Sequence, residues 1–406
     1  MSTENLDLIR SKLAEIAADL TKDAEESLAP CLFSGRMGEA LFFMYYSMYT
    51  KNDTWRRVAM ERIDKVWDMI DQGFGFHTYC RGLAGIFWSA EHFMELGLID
   101  DDARESLEEF DRYLAEKMLE ELALKKFDFL HGGLGLALYL LKRRRTNPDL
   151  DKYFDGLIDG LERCSIRVDD DTVRWNALLD IRMGESGPNI GLAHGMSSIA
   201  IMLSKLIRAG VTVDRSTRLL TQTVNYILQQ ELQPPLGIAR FPSLSLEKPN
   251  SPSSPSRMAW CYGDLGVGLA LYEASLAVNN DIWRNKGLEV LTHSCSRRDL
   301  NENLINDAGI CHGSAGVAHF FHRLFLKTGQ PEFQEAATYW QQQALSQASY
   351  TPDIPGFAGY TPYAANEKLG ISDYRGLLIG AAGIGLSLLD AVSDIPPDWD
   401  ECLLLS

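Results

Sequence analysis

Two short segments in the second half of the chain carry side chains that can bind a metal ion. Cys261 begins the segment CYG (261–263), and Cys311 and His312 begin the segment CHG (311–313), 50 residues further on. Two thiolates and one imidazole are suitable zinc ligands, and three protein ligands leave a fourth position open, as in catalytic zinc sites. Neither triplet is specific alone, so the interpretation depends on whether the fold gives the two segments equivalent places.

Both segments belong to a sevenfold repeat of glycine-rich turns, each of which opens an apolar segment. The first glycines of these turns are Gly35, Gly82, Gly132, Gly195, Gly263, Gly313 and Gly380. Six turns read GxxG, and the fourth has Ser198 in place of the second glycine. Self-similarity at a roughly fixed period is the signature of a repeat architecture. We therefore expect equivalent positions of the turns to point toward a common centre, where Cys261, Cys311 and His312 meet one zinc ion.

Two kinds of helix are predicted to alternate between the turns. The segments that follow the turns are apolar nearly all round, as in LGLALYLL (134–141), and such a helix is buried. The segment 54–71 instead places apolar residues at helical spacing with charges between them, and 102–122, 151–163, 216–232 and 331–347 have the same character. Seven such pairs that close on themselves predict an all-α protein. We expect a single α/α-toroid domain over residues 1–406, with about seven inner and seven outer helices.

The presence of glycine at these turns also has a structural explanation. A glycine at the start of a buried helix can adopt positive φ and lets neighbouring segments approach closely. The sequence therefore predicts sharp turns at positive φ before each buried helix.

Two stretches on either side of the fourth turn fall outside the repeat. Residues 165–188 and 233–256 are predicted to be insertions on the active-site face, and the second is rich in proline and serine. The sequences VRWNALL (173–179) and IARFPSL (238–244) favour short strands of a small β-containing subdomain. Both insertions are candidates for binding a substrate.

Composition excludes several classes of partner and location. The formal net charge is −17, which argues against nucleic-acid partners because these need a basic surface. No apolar run reaches the roughly 18 residues of a membrane span, and the N-terminal segment lacks the pattern of a secretory signal. Seven cysteines without such a signal suit a reducing compartment. We expect a cytoplasmic protein.

Two residues near the turns have the side chains for proton transfer. His194 lies in the fourth turn, in the sector beside Cys261, and is a candidate general acid or base near neutral pH; a structural histidine is the alternative. Asp128 lies four residues before Gly132, where it could take part in the chemistry or cap the helix that follows. His131 shares the aligned position of His194 and is assigned a structural role.

Two further candidate residues lie within or shortly before the CYG segment. Arg257, four residues before Cys261, could hold an oxyanion or pair with Asp128. Tyr262 adjoins a predicted ligand and could donate a hydrogen bond. The cysteines outside the CYG and CHG segments are interpreted as small packing residues, namely Cys31, Cys80, Cys164, Cys295 and Cys402.

These motifs together resemble the lanthionine synthetase C-like family and, within it, the bacterial lanthipeptide cyclases. The specific part is RxxxWCYG followed about 50 residues later by CHG, found here at 257–263 and 311–313. The family patterns DxxxG and GxAHG match residues 128–132 and 191–195. Eukaryotic relatives tend to have WCHG where this chain has WCYG. The resemblance covers nearly the whole chain, and Ser198 is a departure that affects only local helix packing.

The resemblance implies a fold, a cofactor and an activity. The fold is an α/α toroid with zinc on Cys261, Cys311 and His312, and the supporting residues are Asp128, His194, Arg257 and Tyr262. The activity is that of a lanthionine synthetase, which adds peptide cysteine thiolates to dehydroalanine or dehydrobutyrine of the same peptide and forms lanthionine or methyllanthionine rings. The substrate is a dehydrated precursor peptide, with a leader that the insertions are candidates to bind.

The resemblance also implies partners and leaves other activities open. A stand-alone cyclase is expected to work with a separate dehydratase and a membrane exporter, and so to be membrane-associated through a biosynthetic complex. One alternative is an enzyme that adds glutathione or another free thiol to dehydroamino acids. A second is a non-catalytic peptide-binding scaffold. A zinc prenyltransferase is disfavoured because CHG is not its pattern, and a glycosidase because the aligned turn positions carry no paired acids.

Overall fold

The computed structural model describes residues 3–22, 28–180, 185–232, 238–247, 256–348 and 374–406. Each first glycine of the seven turns is the N-cap residue of a helix most of whose residues are buried. These helices are α2 (Arg36–Thr50), α4 (Leu83–Glu95), α7 (Gly133–Arg143), α9 (Met196–Arg208), α11 (Asp264–Val278), α13 (Ser314–Thr328) and α15 (Ala381–Leu389). The predicted buried helices are therefore confirmed at all seven turns.

Helices with one buried and one exposed face alternate with the buried ones. They are α1 (Thr3–Thr21), α3 (Asp53–Asp71), α6 (Glu108–Ala123), α8 (Asp151–Cys164), α10 (Val213–Gln229), α12 (Asp281–Ser294) and α14 (Pro331–Ser346). A single exposed turn, α5 (Ala103–Ser106), precedes α6, and short 3₁₀ helices lie at Pro148–Leu150 and Asp398–Leu403. α10 illustrates the cause, because its apolar residues fall on one stripe that packs against α9 while its charged residues face solvent.

The chain divides into two compact units. The first unit comprises Met1–Phe76, Cys80–Asp101 and Ile305–Ser406, and the second comprises His77–Tyr79 and Asp102–Leu304. In the first unit α2 packs on α3, α13 on α14, and α15 on α1 and α2. In the second unit α7 packs on α6, α9 on α10, and α11 on α12. Each unit thus repeats the pairing of one buried with one amphipathic helix.

The reason for glycine at the turns differs from the one predicted. Only Gly263 has positive φ, at 95°, and the other six first glycines are extended, with φ between −144° and −105°. The need at those positions is space. A Cβ on Gly132 would lie 2.4 Å from the carbonyl oxygen of Lys126, so any larger residue would push apart the backbone segments that cross at the turn.

The departure at Ser198 is accommodated locally, as expected. Its side chain is buried within α9, and its hydroxyl donates a hydrogen bond to the carbonyl oxygen of Gly195 at 2.7 Å. The bond satisfies the hydroxyl inside the core.

The first insertion, residues 165–188, contains two antiparallel hairpins. Strand β1 (Ile166–Asp169) pairs with β2 (Thr172–Arg174), and β3 (Asn176–Asp180) pairs with β4 (Glu185–Pro188). The buried Trp175 anchors them, since its indole N–H donates to the carbonyl oxygen of Leu161 at 3.0 Å. The prediction of short strands in VRWNALL is confirmed.

The second insertion, residues 233–256, is described only over 238–247 and at 256. The segment 238–244 forms no strand, so the strand predicted from IARFPSL is wrong. Its backbone is held by the start of α11 instead, because the buried carboxylate of Asp264 accepts the N–H groups of Arg240 and Phe241. The Pro/Ser-rich residues 248–255 lie outside the described part of the chain.

A buried ionic cluster in the first unit joins α13 to the C-terminal 3₁₀ helix. His319 Nδ1 lies 2.7 Å from Asp390 Oδ2, and its Nε2 lies 2.9 Å from Asp400 Oδ2. Arg323 Nε donates to Asp400 at 2.6 Å. Burial by itself would lower the pKa of His319, but the two carboxylates outweigh it and raise the pKa to about 9. The imidazole is therefore charged at neutral pH.

One further finding concerns membranes. In the ranges given above, no helix combines the length and the apolar character needed to cross a bilayer.

Candidate active site

Main-chain hydrogen bonds join successive turns at equivalent positions, two residues before the first glycine. In the second unit the N–H of Ala193 donates to the carbonyl oxygen of Cys261 at 3.1 Å. In the first unit the N–H of Cys311 donates to Leu378 at 2.8 Å, and that of Leu378 donates to Phe33 at 2.9 Å. The repeat seen in the sequence is thus a repeat of backbone contacts, and Cys261 and Cys311 occupy equivalent positions in it.

The third and fourth turns bring together Asp128 and His194. His194 Nδ1 lies 2.6 Å from Asp128 Oδ2, and the two side chains are 27% and 24% exposed. The other carboxylate oxygen, Asp128 Oδ1, accepts the backbone N–H of His131 at 2.7 Å. Asp128 therefore bonds within its own turn and contacts a histidine 66 residues away, whereas the helix that follows has no side-chain cap at its N-terminus.

The contact with Asp128 determines the state of the His194 imidazole. Burial by itself would lower the pKa of His194. The hydrogen bond and the negative charge of Asp128 raise this pKa, and Cys261 raises it further, so the net shift is upward. With Nδ1 engaged by the carboxylate, Nε2 is the ring nitrogen left to exchange a proton. In such a pair the carboxylate can orient the imidazole, and the imidazole can act as an acid or a base.

Two aromatic rings lie near His194. The ring centroid of Tyr262 lies 6.2 Å from that of His194, and the ring of His131 stacks on His194 at 6.1 Å with a 17° angle between planes. Gly191 makes room for Tyr262, because a Cβ there would lie 2.6 Å from the ring. His131 is exposed and its ring lies beside the candidate acid, and its assignment to a structural role stays a prediction.

The CYG segment is held rigidly in the second unit. Arg297, almost completely buried, pairs with Asp264 at 2.7 Å and donates to the carbonyl oxygen of Ser256 at 2.7 Å and to Asn303 Oδ1 at 2.9 Å. The backbone of Asn303 in turn accepts the N–H of Met258 at 3.1 Å. These bonds hold the chain at Ser256 and at Met258, shortly before Cys261.

A backbone carbonyl group next to Asn303 holds the side chain of Arg257. Its guanidinium donates to the carbonyl oxygen of Leu304 at 2.8 Å, and its buried Nε–H has no acceptor within the described residues. The alternative of pairing with Asp128 is not seen, because Asp128 contacts His131 and His194 instead. A buried N–H without an acceptor is a donor available to a ligand.

The CHG segment lies in the first unit. Cys311 and His312 are partly exposed, and His312 Nδ1 lies 2.9 Å from Oδ2 of the buried Asp307. Cys261 belongs to the second unit and is 5% exposed. All seven cysteines are free thiols, so both predicted sulfur ligands are chemically able to bind zinc.

The donor chemistry fits zinc, whereas an assembled metal cluster is not seen. In the part of the chain that the structure covers, no group of three His, Cys, Asp or Glu side chains is close enough to hold a metal ion. The fit rests on the donor types, two thiols and an imidazole, and on the carboxylate against His312 Nδ1, a feature typical of zinc-binding histidines.

Comparison with known proteins decides the family. Residues 26–404 match the family described as lanthionine synthetase C-like protein. The chain belongs to this family. A relative is nisin biosynthesis protein NisC of Lactococcus lactis subsp. lactis, 25% identical over an alignment of 303 residues that covers 68% of this chain and 71% of NisC. The solved structure of nisin cyclase has a TM-score of 0.75 at 20% identity and covers 98% of this chain and 97% of its own.

Membership of the lanthionine synthetase C-like family confirms three predictions from the sequence. The resemblance itself is confirmed by the family match. The fold class is confirmed by the likeness to nisin cyclase, whose fold is an α/α toroid. The class of enzyme, a lanthionine synthetase cyclase, is confirmed by the family and these two relatives together. The assignment of the seven site residues and of one domain over residues 1–406 stays a prediction.

Proposed function

We propose that the protein is a zinc-dependent lanthipeptide cyclase that forms lanthionine and methyllanthionine rings in a dehydrated precursor peptide. The thiolate of a peptide cysteine adds to the β-carbon of a dehydroalanine or dehydrobutyrine in the same peptide. The observation that carries the proposal is the hydrogen-bonded Asp128–His194 pair, whose histidine lies on a turn that is bonded through its backbone to Cys261. This arrangement supplies a proton donor beside a predicted sulfur ligand.

The metal contributes one element of the chemistry. Bound by Cys261, Cys311 and His312, zinc would lower the pKa of a coordinated thiol and so supply a thiolate at neutral pH. Side chains of this chain are proposed to supply the proton and to stabilise the negative charge.

The addition needs a proton at the α-carbon once the carbon–sulfur bond forms. His194 holds that proton on Nε2 and delivers it to the enolate. The peptide thiol gives up one proton and the α-carbon takes up one, so the reaction is balanced and His194 is protonated again in each cycle. Asp128 keeps Nε2 directed outward by accepting from Nδ1 and, as an alternative role, takes the thiol proton.

Developing negative charge on the substrate carbonyl oxygen must be stabilised in the transition state. The buried Nε–H of Arg257, which has no acceptor in the ranges that are described, is suited to this task. Tyr262 lies beside His194, and its phenol is a further hydrogen-bond donor for the reaction. Arg257 and Tyr262 are therefore proposed to support the catalysis that Asp128 and His194 perform.

The proposed partners follow from the substrate. The precursor peptide must be dehydrated before it arrives, which calls for a separate dehydratase, and a ring-bearing peptide calls for an exporter. We place the protein in the cytoplasm, associated with the membrane through such a complex. A nucleic-acid partner is not proposed, because the net charge of −17 opposes binding to phosphates.

A competition between thiols tests the activity. The purified protein is incubated with a dehydrated peptide that keeps its cysteines, in the presence and absence of excess glutathione, and the products are analysed by mass spectrometry after thiol alkylation. We expect alkylatable thiols to disappear without a change in peptide mass. Glutathione adducts as the main product would contradict ring formation and favour free-thiol addition, and peptide binding without either product would favour the scaffold.

A further inference from the structure

The histidine of the CHG segment lies against a buried carboxylate that has no part in the mechanism above. We propose that Asp307 is a positioning residue for His312, and that its carboxylate holds the imidazole so that Nε2 is the nitrogen offered to the metal. This inference rests on the proposed zinc site. It assigns a role to a residue that the sequence patterns do not include.

The backbone fixes Asp307 on both sides of the turn. Its Oδ1 accepts the N–H of Gly309 at 2.6 Å, and its carbonyl oxygen accepts the N–H of Ser314, the first residue of α13, at 3.0 Å. A Cβ on Gly313 would lie 2.5 Å from Oδ1. The carboxylate is thus clamped inside the turn that carries Cys311 and His312, and it cannot move away from them without opening that turn.

The second carboxylate oxygen needs a partner that His312 can supply. The Asp307 side chain is 1% exposed, and its Oδ2 lies 2.9 Å from His312 Nδ1. The atoms are at contact distance but not aligned as a hydrogen bond, and Oδ2 has no other donor in the described ranges. A buried carboxylate oxygen without a donor is costly. Rotation of the half-buried imidazole would align Nδ1–H with Oδ2 and turn Nε2 away from the carboxylate.

The same relation holds at another turn of the repeat. His194 and His312 both occupy the position one residue before the first glycine, and each has Nδ1 within 2.9 Å of a carboxylate. Asp128 reaches His194 from another turn, whereas Asp307 reaches His312 from its own. Carboxylates on the second nitrogen of a metal-binding histidine fix its tautomer and raise its basicity. In both turns the carboxylate thus lies against Nδ1, and Nε2 is the ring nitrogen that this contact leaves for another partner.

The affinity for zinc tests the role of Asp307. We expect Asp307→Asn to weaken zinc binding about 10–100-fold, measured by competition with a chromogenic chelator on the full-length protein. Asp390→Asn is the matched control, because Asp390 is also a buried partner of a histidine, His319, in the first unit, and it should leave zinc affinity unchanged. Equal affinity in the wild type and Asp307→Asn would overturn the inference.

A spectroscopic measurement on the wild type keeps the inference testable if Asp307→Asn does not fold. In zinc-loaded protein labelled with ¹⁵N-histidine, His312 is expected to show a protonated Nδ1 and a metal-bound Nε2, assigned by comparison with His312→Gln. Coordination through Nδ1 would overturn the role of Asp307. Absence of zinc from the wild type would instead refute the metal site of the proposed function, so the two failures are distinguishable.

Discussion

Replacement of His194 by asparagine is expected to lower the rate of ring formation by about 10²–10⁴-fold, the usual contribution of a positioned general acid. The asparagine side chain is polar, like that of histidine, but it cannot deliver a proton to the α-carbon. Zinc content and peptide affinity should stay at wild-type values, because His194 is not among the predicted ligands. Single-turnover cyclisation of a dehydrated peptide, followed by loss of alkylatable thiols, measures the effect.

The pH dependence separates His194 from a structural histidine. Its pKa is raised chiefly by Asp128 against the opposing effect of burial, so the acid stays protonated, and the rate stays high, to a pH above the ordinary value of about 6.5. Asp128→Asn removes the carboxylate charge and should move the falling limb of the rate profile to lower pH. Loss of zinc from His194→Asn, or an unchanged rate, would refute the assigned role.

Replacement of Asp400 by asparagine is expected to destabilise the protein by about 3–5 kcal/mol, the usual cost of removing one partner from a buried ion pair. Asp400 is fully buried and contacts both His319 Nε2 and Arg323. Its loss leaves two cationic side chains with a single buried carboxylate, Asp390. Urea unfolding at neutral pH measures the change in the free energy of unfolding.

The same cluster predicts how stability depends on pH. The pKa of His319 is about 9 in the folded state and about 6.5 when unfolded. Its stabilisation is therefore complete below about pH 6.5 and is lost as pH rises through 9, a slope that Asp400→Asn should reduce. Asp398→Asn is the control, because Asp398 is 55% exposed and 3.6 Å from the same Arg323, and such a pair contributes about 0–1 kcal/mol. Equal losses in both variants would contradict the account.

The helices were predictable because their signal is local. A glycine turn followed by an all-apolar segment encodes the start of a buried helix, and all seven first glycines are N-caps. The backbone angles were not predictable in the same way. Glycine is needed at Gly132 because Lys126 O approaches closely, and the path of a crossing segment is not visible in the turn itself. Positive φ occurs only at Gly263 among the seven.

The histidines and the predicted metal ligands were predictable because they share aligned positions of the turns, whereas Asp128 and Arg257 were singled out as chemical side chains near the turns. His194 and His312 are found by aligning the turns, and so is His131, although only the structure shows its ring beside His194. Asp307 lies outside the aligned positions, and its contact with His312 depends on the fold of the loop before α13. A carboxylate five residues before a predicted ligand is too common a pattern to be singled out.

The zinc content of the wild type and of Cys311→Ala is the most direct test of the central claim. Both are purified without chelators, with Cys295→Ala as a control that removes a buried cysteine outside the turns, and metal is measured by elemental analysis. We predict about one zinc per chain in the wild type and in Cys295→Ala, and none in Cys311→Ala. A folded wild-type protein that holds no zinc, or a Cys311→Ala variant that retains it, would contradict the account.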